Sequence, residues 1–430
     1  MPTSEANAVA GVEGEMGADA EAEMDPSLGC SGLEPRNLAR ACSGRRTWAA
    51  EFALAARCED PACALANPHT WQRVQLAPGA HPELDCLPLR RILEQAAPRL
   101  SYHRRDLEAK STVHWGQRKL LLSELEFLTD FAHDATLVVY AGAAPGGHLA
   151  CLCALFPDLN FEVFDPRPFA LRLTRPRDRP PNLRLHQEVF TDGHAAGFAA
   201  SGGSTLFVSD IRTADWQKQG VAEHDASIQV DLRAQRRWVE CMRPRHALLK
   251  FRMPYTAGKT EYLDGEVRLP IWGPQTTTEC RLLVSSSPEG SAARAPLPTT
   301  LYDHGRLVEQ LFYFNNVARV SIYRRPAAAA VEMGDHYGEV EGRRSADTTL
   351  LASGLCRCFD CSREVEVLSA YLAARRPEAP RQGDAWAQAV VALSREASRA
   401  CGRGPQGLLE VMPAPWEASA KAAAATPPHR

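Results

Sequence analysis

No stretch of this 430-residue chain approaches the roughly 20 apolar residues that a helix needs to cross a bilayer, so a membrane-spanning helix is excluded. A basic segment followed by an apolar core is also missing near the N-terminus, so no secretory leader is expected and the chain reads as soluble and intracellular. Positive charge is not in excess: 49 Lys and Arg face 52 Asp and Glu, a net charge of −3. A protein that grips long nucleic acid by backbone charge alone is more basic than this, so any RNA substrate must be held in a local groove and a specific pocket. The 13 cysteines are an odd number without an export signal, which favours free thiols or a metal cluster over a disulfide framework. No internal repeat occurs, which argues against solenoid architectures.

What is present is ordinary globular material, 45% hydrophobic and 23% charged, enough for a sizeable core. Residues 1–65 read as a disordered tail. Glu5, Glu13, Glu15, Asp19, Glu21, Glu23 and Asp25 stand among Ala and Gly, with too few aliphatic or aromatic groups to offset ordering entropy. Residues 66–325 read as the main folded domain, 326–400 as a Cys-containing helical appendage and 401–430 as a flexible Ala/Pro-rich tail. Short aliphatic runs bounded by Gly, Pro or Asp recur at Thr136–Tyr140, Phe161–Phe164, Leu183–His186, Thr205–Ser209 and Ala247–Phe251, the pattern of buried parallel strands. Cys280–Ser285 and Val317–Tyr323 read as later strands, with a surface loop over Ser285–Pro298 between them. Ile228, Leu232, Gln235, Val239 and Met242 repeat with helical spacing, and Asp225 is placed to cap that helix. Alternating strands and helices predict an α/β, Rossmann-like doubly wound fold: a mostly parallel central sheet with helices on both faces.

The first strand runs into Ala141-Gly142-Ala143-Ala144-Pro145-Gly146-Gly147-His148. Glycine at the carboxyl end of a parallel strand lets backbone approach a ligand, although a tight turn alone would also use it. The spacing is not G-x-G-x-x-G, which disfavours a dinucleotide. Asp165 closes the next strand, where an acid typically binds ribose hydroxyls. Loop and acid together fit an adenosyl group without a pyrophosphate.

Four further residues sit at element ends. Asp210 closes TLFVS, Lys250 lies inside ALLKF, Glu279 precedes CRLLV, and Lys119 opens a helical run at a register facing the same cleft. Each has an ordinary reading alone: a solvent-facing lysine, a helix cap, a snorkelling lysine, a rim charge. A lysine inside an apolar strand is nevertheless costly unless paired or functional.

As a set, Lys119, Asp210, Lys250 and Glu279 resemble the K-D-K-E tetrad of FtsJ-type ribose 2′-O-methyltransferases. The words Gln117-Arg118-Lys119, Val139-Tyr140-Ala141-Gly142, Asp165-Pro166-Arg167, Val208-Ser209-Asp210-Ile211-Arg212, Leu249-Lys250-Phe251-Arg252-Met253-Pro254-Tyr255 and Thr278-Glu279-Cys280-Arg281 are similar, in order, to the poxvirus-type cap-specific 2′-O-methyltransferases over roughly residues 114–323. The resemblance implies methyl transfer from S-adenosylmethionine to a ribose 2′-hydroxyl beside the cap of mRNA. Gln117, Tyr140, Gly142, Pro145, Gly146, Asp165 and Arg167, with Asp210 at the methionine end, would contact that cofactor. Arg252, Tyr255 and Arg212 fall where the family contacts cap or RNA, with Tyr255 stacking on 7-methylguanine. Relatives carry an acid just after that aromatic; Thr256-Ala257 lacks it, and Asp303 is the substitute. The family's second cap-stacking aromatic has no counterpart in the matched words.

The resemblance further implies capped mRNA as partner, a poly(A) polymerase or transcription-machinery partner, no membrane, and a cytoplasmic viral setting. Lys250 is expected to act as base, with Lys119 and burial favouring its neutral form and Asp210 and Glu279 orienting it. Methylation of structural RNA, and an RNA-binding polymerase-accessory role, stay open as alternatives, as does a small-molecule methyltransferase. No metal is required by this chemistry. Cys356, Cys358 and Cys361 form a C-x-C-x-x-C run that would need His336 or Cys401 to hold zinc, and free thiols are the default reading. Glu364–Arg375 reads as an amphipathic helix packed on the core.

Overall fold

The structure is a computed structural model that describes residues 83–84, 91–102, 116–215, 218–273, 277–286, 296–319, 322–323 and, with short gaps, 346–401. The expected N-terminal tail, residues 402–430, most of the Ser285–Pro298 loop, and Cys356, Cys358 and His336 lie outside the described residues.

A seven-stranded sheet organises the chain. Its strands are β1 (Leu137–Ala141), β2 (Asn160–Phe164), β3 (Leu183–His186), β4 (Thr205–Ser209), β5 (His246–Phe251), β7 (Glu266–Arg268) and β8 (Cys280–Ser285). β6 (Lys259–Leu263) pairs outside it, antiparallel to β9 (Thr299–Asp303). The order across the sheet is β3-β2-β1-β4-β5-β8-β7. β1 to β5 run parallel, whereas β8 is antiparallel to β5 and β7 to β8. The α/β expectation is met, and the order reverses between β1 and β4. At such a switch point the loops leave in opposite directions and open a crevice at the strands' carboxyl ends.

Strand alternation divides the core. Val138 and Tyr140 of β1 join one apolar cluster, Val139 and Ala141 the other, and all four side chains are essentially inaccessible. Burying each larger aliphatic or aromatic group contributes about 1.5–3 kcal/mol. The first cluster packs under α1 (Gly116–Phe131), α2 (Leu149–Leu155), α7 (Phe359–Arg375) and α8 (Gly383–Ala400). The second lies under α4 (Asp192–Phe198), α5 (Val221–Met242) and α6 (His304–Tyr313). A one-turn helix, α3 (Leu171–Thr174), follows β2.

Three expectations are corrected. Val317–Tyr323 is not one strand: the chain continues α6 through a wider π turn at Phe314–Ala318, which buries Phe314 and Asn315, and among the described residues of this stretch only Ile322–Tyr323 pairs as strand, parallel to Glu83–Leu84. Asp225 is not the cap of α5, which begins behind Gly220; it lies inside the helix, where its carboxylate accepts the amides of Tyr255 and Thr256, each at 2.9 Å. The amphipathic C-terminal helix starts earlier than expected, at Phe359.

The α7–α8 hairpin is fastened to the sheet domain by buried charge. Arg118 of α1 is wholly inaccessible and pairs with Glu364 of α7, with Ser394 and Ser398 of α8 completing its shell. Glu364 also accepts the Trp272 indole N–H at 2.6 Å. Asp360 accepts the Trp272 amide at 2.9 Å and the Arg319 guanidinium at 2.7 Å.

Candidate active site

The crevice between β1 and β4 is built from their two following segments. Gly142 has φ +84°, a left-handed conformation, and a Cβ there would sit 2.7 Å from the backbone of Asp210 and Ile211. The Asp210 amide donates to Ala141 O at 2.9 Å, so the glycine-rich loop and the Asp210 turn are one tightly joined unit. Gly146 is also left-handed, at φ +65°, and Pro145 O accepts the Ala170 amide at 2.9 Å.

Asp165 ends β2 beneath this loop and is buried. It accepts the amides of Ala144 and Arg167, both at 2.9 Å, and the Arg167 guanidinium at 3.0 Å. Its oxygens therefore brace the loop, while the Arg167 side chain is two-thirds exposed, at 67%. Gln117 opens α1 across the cleft and hydrogen-bonds His148 at 3.0 Å. Tyr140 is wholly buried; its hydroxyl donates to Glu124 at 2.7 Å. Burial, and then the Glu124 charge, push that phenol well above its usual pKa, so it stays a donor.

The four tetrad residues meet. Lys119 Nζ lies 2.6 Å from Glu279 Oε1, and Lys250 Nζ lies 3.2 Å from both Asp210 Oδ1 and Glu279 Oε2. Sequence reasoning missed a fifth member. Arg281, nearly inaccessible, donates to Asp210 Oδ1 at 2.7 Å and lies 3.3 Å from Glu279 Oε1. The signal was present: Glu279 and Arg281 are two apart at a strand start, so they share a side. Arg281 also stands opposite Lys250 in the β5–β8 ladder.

Three cations thus surround two carboxylates. Burial alone would raise the Asp210 carboxyl, yet Lys250 and Arg281 outweigh it and hold the pKa low. Burial likewise opposes ionisation of Glu279, and Lys119, Lys250 and Arg281 together hold it well below the usual carboxylate range. Lys119 is lowered, chiefly because burial penalises its charge, with Glu279 acting against that. With both carboxylates ionised, full protonation leaves the cluster one positive charge in excess, so surrendering one lysine proton makes it neutral.

Beyond β5, Arg252 lays its guanidinium 4.7 Å from the Tyr255 ring centre, within cation–π range. His224 of α5 stacks on Tyr255 with ring centres 5.7 Å apart and is buried; burial and the Arg252 charge lower its pKa. Arg212 is exposed on the Asp210 turn. Asp303 caps α6, accepting the Arg306 amide at 2.9 Å, and the adjacent His304 donates from Nδ1 to Thr256 O, 2.8 Å away. The structure therefore brings Asp303 to the foot of the Tyr255 loop. Glu124 and His224 carried no motif signal, because each acts through a partner distant in sequence. Cys361 and Cys401 are buried.

Comparison with known proteins adds relatives. A myxoma virus (strain Lausanne) protein named cap-specific mRNA (nucleoside-2′-O-)-methyltransferase is 26% identical over 230 residues, covering 49% of this chain and 63% of the viral protein. A fowlpox virus (strain NVSL) protein of the same name is 26% identical over 242 residues, covering 51% of this chain and 73% of its own length. The chain thus spans less than two thirds of the myxoma virus relative. Among solved structures, bluetongue virus VP4, described as a multifunctional RNA-capping production line, aligns with a TM-score of 0.32 at 13% identity, over 59% of this chain and 40% of VP4. The family described as poly A polymerase regulatory subunit matches residues 92–325, more than half of the chain and all of the sheet with its charged cluster, and to that family the chain belongs.

Proposed function

We propose that this chain methylates the ribose 2′-hydroxyl of the cap-proximal nucleotide of mRNA, using S-adenosylmethionine. The observation that carries the reading is the contact of Lys119, Asp210, Lys250 and Glu279 in one buried cluster beside the glycine-rich loop. The poxviral relatives, by their names, act on the same bond.

The cleft suits an adenosyl methyl donor. Gly142 leaves backbone open where any side chain would collide, and Asp165 stands beneath it, able to exchange the exposed Arg167 guanidinium for ribose hydroxyls. Gln117 and Asp210 would flank the methionine end. Bound S-adenosylmethionine supplies an electrophilic methyl, whose carbon–sulfur bond breaks with its electron pair left on sulfur as the carbon–oxygen bond forms. Lys250 would take the 2′-hydroxyl proton on Nζ. Proton loss from the cluster, favoured by the lowered pKa of Lys119, relieves its excess positive charge, and Asp210 and Glu279 fix the direction of the Lys250 lone pair. Lys119 and Arg281, held by the same carboxylates, keep the pocket electropositive where alkoxide character develops. Positioning of the two reactants then accounts for much of the acceleration.

Tyr255 would receive the cap. The 7-methylguanine ring is cationic, so it replaces the Arg252 guanidinium on the Tyr255 ring like for like, freeing Arg252 for the cap phosphates. Asp303 at the foot of that loop would accept from the guanine edge, and Arg212 would follow the first phosphates. Action on capped transcripts would take place in the cytoplasm. The family description favours a second role, binding to a poly(A) polymerase, which co-purification with the polymerase catalytic subunit would test.

The deciding experiment incubates the protein with labelled S-adenosylmethionine and short RNAs carrying a 7-methylguanosine cap, a guanosine cap or no cap, beside a Lys250→Ala control. Label on the first ribose, dependent on the methylated cap and lost in the control, is the expected result. Equal labelling of uncapped RNA would move the enzyme to structural RNA. No transfer to any RNA would refute the catalytic reading.

A further inference from the structure

Two buried ionisable groups beside the cleft take no part in the mechanism above. His148 is wholly inaccessible and Glu124 is 1% exposed. They form the middle of a chain of polar contacts under the glycine-rich loop. The Tyr140 hydroxyl donates to Glu124 Oε1 at 2.7 Å, Glu124 Oε2 meets His148 Nε2 at 2.9 Å, and His148 Nδ1 meets Gln117 Oε1 at 3.0 Å. Only the last member, Gln117, is partly open to the cleft.

Proton placement along this chain decides which end of the Gln117 amide faces outward. The Gln117 oxygen faces His148 Nδ1, so Nδ1 is the donor in that contact, and the contact of Glu124 Oε2 with His148 Nε2 holds one proton between them. Whether the shared proton rides on oxygen or nitrogen, Nδ1 keeps its hydrogen and donates it. The Gln117 oxygen must then accept, and its NH2 is left pointing away from His148. The opposite orientation would require Nδ1 to accept, with the ring hydrogen on Nε2 alone, and would turn the Gln117 oxygen toward the cleft.

We propose that Glu124 and His148 are positioning residues that lock the Gln117 amide with its NH2 toward the cleft, as a donor for the carboxylate of the methionine end of the methyl donor. The proposal rests on the reading that the cleft binds S-adenosylmethionine. Gln117 thereby becomes a specificity-determining residue: it rewards an acceptor and offers nothing to the ammonium at the same end of the ligand. A hydrogen bond to a charged group is worth about tenfold or more in affinity.

Calorimetric titration of the full chain with S-adenosylmethionine, and with its decarboxylated analogue that keeps the ammonium and lacks the carboxylate, tests this. A cap dinucleotide titrated alongside reports the fold. The native chain is expected to prefer S-adenosylmethionine about tenfold or more. Gln117→Glu turns the outward donor into an acceptor and should abolish or invert that preference, with cap affinity retained. Glu124→Leu removes the group that fixes the proton and should weaken the preference, again with cap affinity retained. Because Glu124→Leu removes a buried partner and can fail to fold, Gln117→Glu decides in that event. A Gln117→Glu protein that keeps the native preference overturns the proposed amide orientation, as does a folded Glu124→Leu protein with an unchanged ratio. A native chain that binds neither compound overturns the adenosyl reading of the cleft and this inference with it.

Discussion

Replacing Arg281 with Met removes one cation from the cluster and leaves the tetrad itself untouched. Arg281 Nη2 and Lys119 Nζ lie 3.3 and 2.6 Å from the same oxygen, Glu279 Oε1, so the two cations are no more than about 6 Å apart. At an effective dielectric constant of about 20, two unit charges at that separation repel by about 3 kcal/mol. In the native cluster that repulsion adds to burial in lowering the pKa of Lys119 and favours release of its proton. In Arg281→Met, two lysines balance two carboxylates, and losing a proton would leave a net negative charge. The proton is held more firmly, and at neutral pH methyl transfer falls by up to about 100-fold. The loss should shrink steadily as pH rises toward 9.5, where solution takes up the proton instead. Single-turnover transfer to capped RNA across pH 6.5–9.5, with saturating donor and cap, is the assay. A loss of the same size at every pH would refute the electrostatic argument and leave Arg281 a merely structural strand residue.

Other expectations follow from single contacts. Glu364→Ala strands Arg118, which is wholly buried, and the Trp272 indole; denaturant unfolding should show a loss of about 3–5 kcal/mol, and pairing the change with Arg118→Met should recover part of it. Gly142→Ala forces a Cβ to within 2.7 Å of the Asp210 and Ile211 backbone at a left-handed φ, so donor affinity should fall at least about tenfold, measured by calorimetry. Asp225→Ala removes the acceptor for the Tyr255 and Thr256 amides and should weaken cap-analogue binding by about tenfold while donor binding stays as it was. His246 is pushed down to about 4 from 6.5, first by burial and then by Arg245. Between those values the unfolded chain takes a proton that the folded one refuses, so stability falls as pH drops from 6.5 toward 4. His246→Gln should flatten that slope in urea melts at pH 7, 5.5 and 4.5.

Much of the site was legible because its residues sit at strand ends, and strand ends are the places sequence marks best. β1, β2, β4 and β5 were found within a residue or so from their aliphatic runs, and each delivers its site residue just inside or just beyond its last position. Arg281 escaped because a lone arginine at a strand start is common, and only the fold reveals that it faces two carboxylates. Asp225 misled for a related reason: the local rule that acids cap helices competed with a contact to residues 30 positions away, and the distant contact won. β6, β7 and β9 went unread because their short, mixed-polarity sequences have no clear period. Val317 and Ala318 look like strand residues, but burying Phe314 and Asn315 holds that segment in a helical turn.

The buried bridge from α1 to the α7–α8 hairpin has a bearing on where this protein can be cut. The family match stops at residue 325, yet the acids that neutralise Arg118 and Arg319 are Glu364 and Asp360, beyond it. A fragment ended at the match would strip Arg118 and Arg319 of their carboxylate partners and the Trp272 indole of its acceptor, and would uncover the apolar face of α1 on which the hairpin packs. The helix exposed by that cut is the one that bears Gln117 and Lys119 in its first turn. Homology thus outlines a shorter unit than folding does, and the piece that can be purified, crystallised or fused as an autonomous module extends at least to Cys401.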